Sequence, residues 1–571
     1  MECDVVVVGS GAAAMTAAVT AAHGGLDVLL VEKAPDLGGT SALSGGVAWI
    51  PDNPHLDEIS RRSGEHDSRE RALTYFESLV GADRMRGEVM DAFFRHGRAM
   101  VNFLERETIV QFEGTTYPDY KAHLPGGIPI GRSISAASFD GALLGCWLGR
   151  LKPPMSELCV MGSMMVDGTD LHHLMNMGRS PRSFLHATAR FLVFLKDRLR
   201  YGRGARLVMG NALIGRLLKA AVDRGVTIWT ESAATGVILK EGRVAAVTIR
   251  RDGRELEVAV KRGVVLATGG FAHDEELKRR LIPHAEQHET ICPETNTGDG
   301  IRIGLRAGGR LGGNTWQNFL GTQVAIMRDP HGRVISKIPF LRRDRNKPGF
   351  ILVNRKGERF VNEAWPYNDV AHAMNADPDA IPSFLVCDHV RLRRYGLGLV
   401  RPGPGWARPL GRYLQSGHLI RADSIAALAD KLGIDREGLA RTVARMNVYA
   451  RTGVDEEFHK GETIYDRWQG DSEVSPNPSV GPIDQPPFYA IALWPGNLGT
   501  FCGLETDENA RVLDAQGQAI AGLYAAGCDM HPIFTGSYPG GGGSIGPGMT
   551  FGYIAARSLI EMDGGQAPAL L

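Results

Sequence analysis

The stretch DVVVVGSGAAAMTAAVTAA, residues 4–22, decides the fold. Val5 to Val8 form a short, unbroken apolar run, the pattern of a parallel strand buried on both faces. A turn with Gly9-x-Gly11-x-x-Ala14 follows, and then an alanine-rich helix. Gly9 permits the sharp turn, Gly11 lets a pyrophosphate approach bare backbone, and Ala14 keeps the helix close to the strand. The phosphates sit on the positive end of that helix. A second strand, DVLLVEK, ends in Glu32, about twenty residues on, where a carboxylate binds ribose hydroxyls. A glycine triplet alone says little. Strand, triplet, helix, strand and acid in register specify a dinucleotide-binding βαβ unit.

The sequence beyond Glu32 separates NAD from FAD. KAPDLGGTSALSGGVAWIP, residues 33–51, is a loop rich in glycine and hydroxyls, where an NAD domain continues into ordinary αβ units. Gly38, Gly39, Thr40, Ser41, Gly45 and Gly46 offer amides and small hydroxyls to the longer ribityl tail and ring of a flavin. GVVLATGGF, residues 263–271, reads as a strand and turn, and DAQGQAIAGLYAAGCDM as a hairpin with a strand, Leu523 to Ala526, ending at Gly527. Both resemble elements of two-dinucleotide-fold flavoproteins, so the flavin-binding half is discontinuous in sequence. In proteins of that build the last helix points its N-terminus at the pyrimidine side of the ring, where helix amides stabilise the negative charge of reduced flavin. The segment GSYPGGGGSIGPGMTFGYIAA, residues 536–556, suits that role, with bare backbone against a flat ring and a helix behind it.

Composition removes other classes. At 571 residues two or three domains are expected. Lys+Arg 64 balances Asp+Glu 64, which gives nucleic acid no electrostatic footprint. Seven cysteines without a CxxC pair point to a reducing compartment and no zinc site. His172-His173 lacks ligand partners at useful spacing, so no metal is expected. No signal-peptide pattern and no apolar run of about 20 residues are visible, and a cytoplasmic protein is expected.

With the motifs GTSALSGGVAWIP, YPDY, GRSI, GNALIGRLL, ATGGF, NTGDGI, GERFVNEAWPY, GVDEEFHKGE, LGTFCGLETD, GLYAAG and YPGGGGSIGPGMTFGY, the chain resembles the fumarate reductase/succinate dehydrogenase flavoproteins. Within that superfamily it is similar to the 3-ketosteroid Δ1-dehydrogenases, nearly end to end. The resemblance implies an α/β fold: a two-dinucleotide-binding-type, Rossmann-like FAD domain with an inserted α+β catalytic domain. Residues 1–316 and 498–571 would form the FAD domain and 317–497 the insertion, with TWQNFLGT as the crossing point. It further implies FAD contacts at Gly9, Gly11, Ala12, Ala13, Ala14, Glu32, Lys33, Gly39, Thr40, Ser41, Ser44, Gly45 and Gly46. The later motifs add Ala234, Ala267, Thr268, Gly269, Asn296, Gly298, Asp299, Gly527, Cys528, Gly542, Gly543, Ser544 and Ile545.

The catalytic groups implied are four. Tyr538 and the Gly542 amide bind the 3-keto oxygen, Tyr367 removes the C2 proton as a phenolate-like base, and Tyr120 assists it. The chemistry is coherent: two donors on a ketone oxygen acidify the neighbouring C–H, and a phenol of pKa about 10 needs help to act as a base. Fumarate reductases carry an arginine four residues beyond the RFVNE glutamate and a histidine in H-x-T-x-G-G; here those places hold Tyr367 and NLGTFCG. GGTSALSGG has no histidine, so FAD is expected to be noncovalent.

Lys121 stands where the family usually shows a second tyrosine, Cys528 replaces an asparagine, and Phe501-Cys502 replace Lys-Gly. These departures leave substrate shape open, whether a steroid at Δ1, another steroid position such as Δ4, or a non-steroidal cyclic ketone. An ene-reductase running in reverse and a non-catalytic flavin module are the alternatives from other classes. The expected partners are a steroid or cyclic ketone and an external electron acceptor such as a quinone. The segment 183–206 pairs apolar Phe184, Ala187, Phe191 and Phe194 with basic Arg190, Lys196, Arg198, Arg200 and Arg203. It reads either as a membrane-surface helix or, the commoner outcome, as a helix covering the FAD domain.

Overall fold

The computed structural model describes residues 1–178, 180–313, 315–340, 344–403 and 410–562. Its first sheet has eight strands. Strand Glu2–Val8 lies parallel between Val28–Val31 and Arg254–Leu266, and Arg254–Leu266 is also parallel to Ala519–Ala525. Val8 is level with Val31 and Leu266, and Leu266 with Ala525. The four strands therefore end at one edge, and Gly9, Glu32, Ala267 and the Ala526-Gly527 step emerge together, where open α/β sheets bind ligands. Val5 to Val8 are at most 5% exposed, and burying such a side chain contributes roughly 1.5–3 kcal/mol.

Helix Ala12–His23 packs on helix Ile545–Glu561. Small residues set that spacing, since a Cβ on Gly552 would lie 2.3 Å from the Ala13 carbonyl oxygen. Helix Ile545–Glu561 is thereby held against helix Ala12–His23, and their N-termini meet at the same end of the sheet.

The second sheet is built on one long strand, Phe488–Thr500, antiparallel to Phe319–Arg328 and Ser383–Asp388. Val334–Pro339 and Phe350–Val353 complete its edges. The short strand Glu289–Thr290, from before the expected crossing point, also pairs with Phe488–Thr500. Helix Tyr367–Ala376 packs on Phe319–Arg328, which brings its first residue to the seam between the two sheets. A three-stranded sheet of Val47–Trp49, Phe112–Gly114 and Ser133–Ala136 closes the other side.

Helix Pro181–Tyr201 packs chiefly on helix Gly168–Asn176. Its expected apolar face is divided: Ala187 and Phe194 are buried, whereas Phe184 and Phe191 face solvent.

Candidate active site

The phosphate turn is steric in origin. Gly9 has φ +107°, and a Cβ there would lie 2.2 Å from the Ala267 carbonyl oxygen. Gly11 caps helix Ala12–His23 in extended geometry, and no acidic residue stands in the first turn. The Ala12 amide donates to Ser41 Oγ (3.1 Å), and the Ala13 end of that turn meets the cavity with no acidic side chain of the turn itself to repel an anion. Glu32 is held by Ser10 Oγ (2.5 Å) and the Ala34 amide (2.8 Å) and opens on the same cavity. Burial pushes its carboxyl upward. Lys33 is committed elsewhere, donating to Asp299 Oδ2 (2.8 Å) and Thr297 Oγ1 (2.5 Å). Asn296 Nδ2 joins Gly269 O (3.1 Å) to Thr40 Oγ1 (3.3 Å).

One residue missed in the sequence organises the ATGGF turn. Asp529 accepts from the Thr268 amide (2.5 Å), Thr268 Oγ1 (3.0 Å) and the Gly270 amide (3.0 Å). Burial raises its carboxyl to about 6. Only its place after AAGC could have drawn attention.

A single cavity of about 1060 Å³ runs from this turn to the tyrosines. All the expected FAD residues line it except five. Gly38 (φ +112°) abuts the Ala42 and Ile214 side chains. Ala14 is wholly buried in the core. Gly46 abuts the Met209 backbone, Gly298 (φ +73°) abuts Asp274, and Gly543 is wedged against Pro539 and Tyr538. These five shape the wall from behind.

The terminal glycines have a second reason besides the ring. A Cβ on Gly542, at φ +92°, would lie 2.4 Å from the Val47 carbonyl oxygen, and one on Gly546 2.2 Å from that of Trp49. The segment lies against strand Val47–Trp49, with the Trp49 amide donating to Gly542 O (3.1 Å) and Ser133 Oγ to Gly541 O (2.7 Å). Gly541, Gly542, Ser544 and Gly548 still face the cavity.

Tyr120, Tyr367 and Tyr538 come from three distant segments and meet in one buried cluster, each ring centroid 5.7 Å from the other two. Tyr465, unmarked by any motif, lies 4.9 Å from Tyr120. Tyr367 and Tyr538 reach the cavity, where Leu320 and Leu498 complete an apolar wall, while Tyr120 stands behind them. The Tyr120 hydroxyl is buried without a hydrogen-bond partner among the described residues. Its segment is tied to YPGGGG by the Tyr120 amide and the Tyr75 hydroxyl, both donating to Pro539 O (2.9 and 2.7 Å). YPDY and GRSI are bound by Arg132 donating to Asp119 (2.6 Å), which also accepts from Trp49 Nε1 (2.8 Å). Burial pushes Tyr367 well above the ordinary phenol range, and the neighbouring Tyr120 and Tyr538 add to it. Burial likewise pushes Tyr538 up, to about 12, against the opposing contacts of Tyr367 and Ser544.

The site fits FAD. Gly9 and Gly11 give a pyrophosphate bare backbone, the helix of Ala12 gives it amides, and Glu32 offers the ribose a carboxylate. Ser41, Ser44, Gly45 and the second helix N-terminus at Ser544 and Ile545 would hold the remainder.

The FAD binding domain family model matches residues 4–545. The chain is 38% identical to 3-oxosteroid 1-dehydrogenase of Mycobacterium tuberculosis over 585 residues, covering 99% of each chain. It is 36% identical to 4-oxocyclohex-2-ene-1-carboxylate 5-dehydrogenase of Sinomonas cyclohexanicum, covering 98% of this chain and 94% of that one. The crystal structure of 3-ketosteroid Δ1-dehydrogenase from Sterolibacterium denitrificans in complex with 1,4-androstadiene-3,17-dione superposes with TM-score 0.89 at 34% identity, covering 98% and 99% of the two chains. With such identity along its whole length, an FAD-binding model matched almost throughout and a cradle that fits the cofactor, the chain belongs to the 3-ketosteroid Δ1-dehydrogenase family of noncovalent, FAD-dependent oxidoreductases, within the fumarate reductase/succinate dehydrogenase superfamily.

Proposed function

We propose that the chain introduces the C1–C2 double bond into a 3-ketosteroid. The observation that carries this reading is the convergence of Tyr120, Tyr367 and Tyr538 on the apolar end of the FAD cavity. Tyr538 and the Gly542 amide donate to the keto oxygen, and the enolate charge that develops there acidifies C2–H. Tyr367 accepts the C2 proton, with Tyr120 at its back. When bound, FAD supplies the two-electron acceptor that takes hydride from C1, so the substrate loses one proton and one hydride in all. An external acceptor, which we propose to be a quinone, closes the cycle. The units 1–316 with 498–571, and 317–497, are the proposed cofactor and substrate domains.

A panel of ligands added anaerobically to the holoenzyme tests this. A 3-ketosteroid is expected to bleach the flavin absorbance, while succinate is expected to leave it unchanged and fumarate not to reoxidise it. Bleaching by 4-oxocyclohexanecarboxylate and not by steroids would transfer the same residues to a smaller ketone; turnover of fumarate at ordinary rates would end the assignment.

No helix among the described residues is long and apolar enough to cross a membrane. A second surface nonetheless favours contact with one. Helix Pro181–Tyr201 exposes Leu185, Leu192 and Leu199, seven residues apart, at 68, 59 and 91%. Arg182, Lys196, Arg198 and Arg200 accompany them on the same helix. Leu171, Leu174 and Met175 of the helix beneath line the cavity. We propose that this pair of helices rests on an anionic lipid surface, from which an apolar substrate enters directly. Sedimentation with anionic vesicles is expected to carry down the protein. Leu192→Glu with Leu199→Glu should weaken that by more than tenfold, since each leucine buried is worth roughly 1.5–3 kcal/mol. Equal sedimentation of the double variant would remove the proposal.

A further inference from the structure

Arg345 is 1% exposed and lies under the turn that delivers Tyr367. Its Nη1 donates to the carbonyls of Glu363 and Trp365, the latter at 2.6 Å, and Asn346 Nδ2 donates to the Ala364 carbonyl between them at 2.9 Å. The other two nitrogens, Nε and Nη2, are buried with no hydrogen-bond partner among the described residues. No carboxylate among those residues comes within 4.0 Å of the guanidinium, although buried carboxylates are near. Glu363 is taken by Arg359 (2.7 Å) and Lys460 (3.4 Å), and Asp455 by Arg359 (2.8 Å). Arg345 is therefore a buried cation whose charge nothing at contact distance matches among the described residues.

Leaving such a charge unmatched is costly, so it persists where another state of the protein gains from it. The groups it acts on electrostatically are, first, Tyr465 and Tyr120, and then Glu363 and Asp369. The two tyrosines are packed ring on ring, and the buried Tyr120 hydroxyl is itself without a partner among the described residues. Tyr120 in turn lies against Tyr367 and Tyr538. Other charges on the elements that carry the cluster are Asp369, two residues beyond Tyr367, with Lys121 at 3.4 Å and His372 beside it; Asp119, next to Tyr120 and paired with Arg132 (2.6 Å); and Asp466, next to Tyr465 and accepting from Asn362 (3.0 Å). Burial pushes the Asp369 carboxyl up and Lys121 balances it, so this pair brings no excess of either sign. The unmatched guanidinium acts first on Tyr465 and Tyr120, and Tyr120 packs against Tyr367.

We propose that Arg345 is the positioning residue of the tyrosine cluster: through Glu363 and Trp365 it fixes the turn from which Tyr367 projects, and its unmatched charge stabilises the phenolate form in the Tyr120–Tyr367 pair. The proposal rests on Tyr367 as the base. It answers a difficulty of that reading, because burial alone makes the phenol a poor acceptor of the C2 proton at neutral pH.

The test is the pH dependence of two readouts in FAD-loaded enzyme: turnover, and exchange of deuterium at C2 of a 3-ketosteroid with solvent. In Arg345→Gln the rising limb of both profiles is expected to move up by about one pH unit or more, which is roughly a tenfold loss at pH 7. Arg345→Lys keeps the charge and is expected to keep the native limb, with turnover within a few-fold of the native chain. A Gln variant slowed equally at every pH, or a Lys variant whose limb moves as far as that of Gln, overturns the proposal. If Arg345→Gln does not retain FAD, Arg345→Lys decides alone by whether its limb stays or moves. Tyr367→Phe separates the two levels: if C2 exchange survives in that variant, the base is misassigned whatever the Arg345 variants do.

Discussion

Tyr367→Phe is expected to bind a 3-keto ligand as well as the native chain and to turn it over on the order of 10²–10⁴-fold more slowly, the usual cost of losing a general base. The two effects separate because, in the proposed assignment, the ketone oxygen is held by Tyr538 and Gly542 and not by Tyr367. The ring itself remains, so the packing with Tyr120 and Tyr538 survives and stability should change little. Exchange of deuterium at C2 should slow with turnover. In the native enzyme, burial raises the Tyr367 phenol, so the deprotonated fraction at pH 7 is small and grows with pH. Turnover should therefore keep climbing as the pH rises above neutrality, and that climb should vanish in Tyr367→Phe. Unchanged exchange in the variant, with only C1 hydride loss impaired, would give the base's role to another tyrosine.

Tyr538→Phe should lose both affinity and rate. Removing one of two donors to a developing oxyanion costs on the order of 10²–10³ in turnover, and the same donor also serves the ground-state ketone, so ligand binding weakens too. The Gly542 amide remains, which is why some activity should persist. The measurement is the Kd of a 3-keto ligand beside kcat. A fall in kcat with an unchanged Kd would mean that Tyr538 does not touch the carbonyl, and a fall in neither would take it out of the site.

The parts of this site that were legible in the sequence are those with a local physical signature. Val5 to Val8 read as a buried parallel strand because nothing polar interrupts them, and Gly9 read as a turn because its conformation excludes a side chain. DAQGQAIAGLYAAGCDM read as a hairpin with a strand, and strands Arg511–Leu513 and Ala519–Ala525 pair antiparallel around its turn. The glycines at 540–546 were visible as an anomaly, but half of their cause was not: their missing side chains make room for strand Val47–Trp49, nearly five hundred residues away in the chain. Asp529 and Arg345 carry no spacing signal at all. Each is a lone charged residue whose meaning comes from carbonyls and amides brought to it by the fold. In helix Pro181–Tyr201 the periodicity offered an apolar stripe without saying which side the fold would cover. Leu185, Leu192 and Leu199, on the uncovered side, were passed over.

The cavity draws its walls from residue 8 through residue 548, including the first and last described helices and the seam between the sheets. A cofactor seated there is a ligand of the native arrangement and of no unfolded segment, so mass action ties conformational stability to free FAD. At a hundredfold excess over Kd the folded chain gains about 2.7 kcal/mol, and each further tenfold adds about 1.4. Melting temperature in this protein is thus a function of cofactor supply, and a cell short of riboflavin would lose the enzyme to unfolding and proteolysis as well as to idleness.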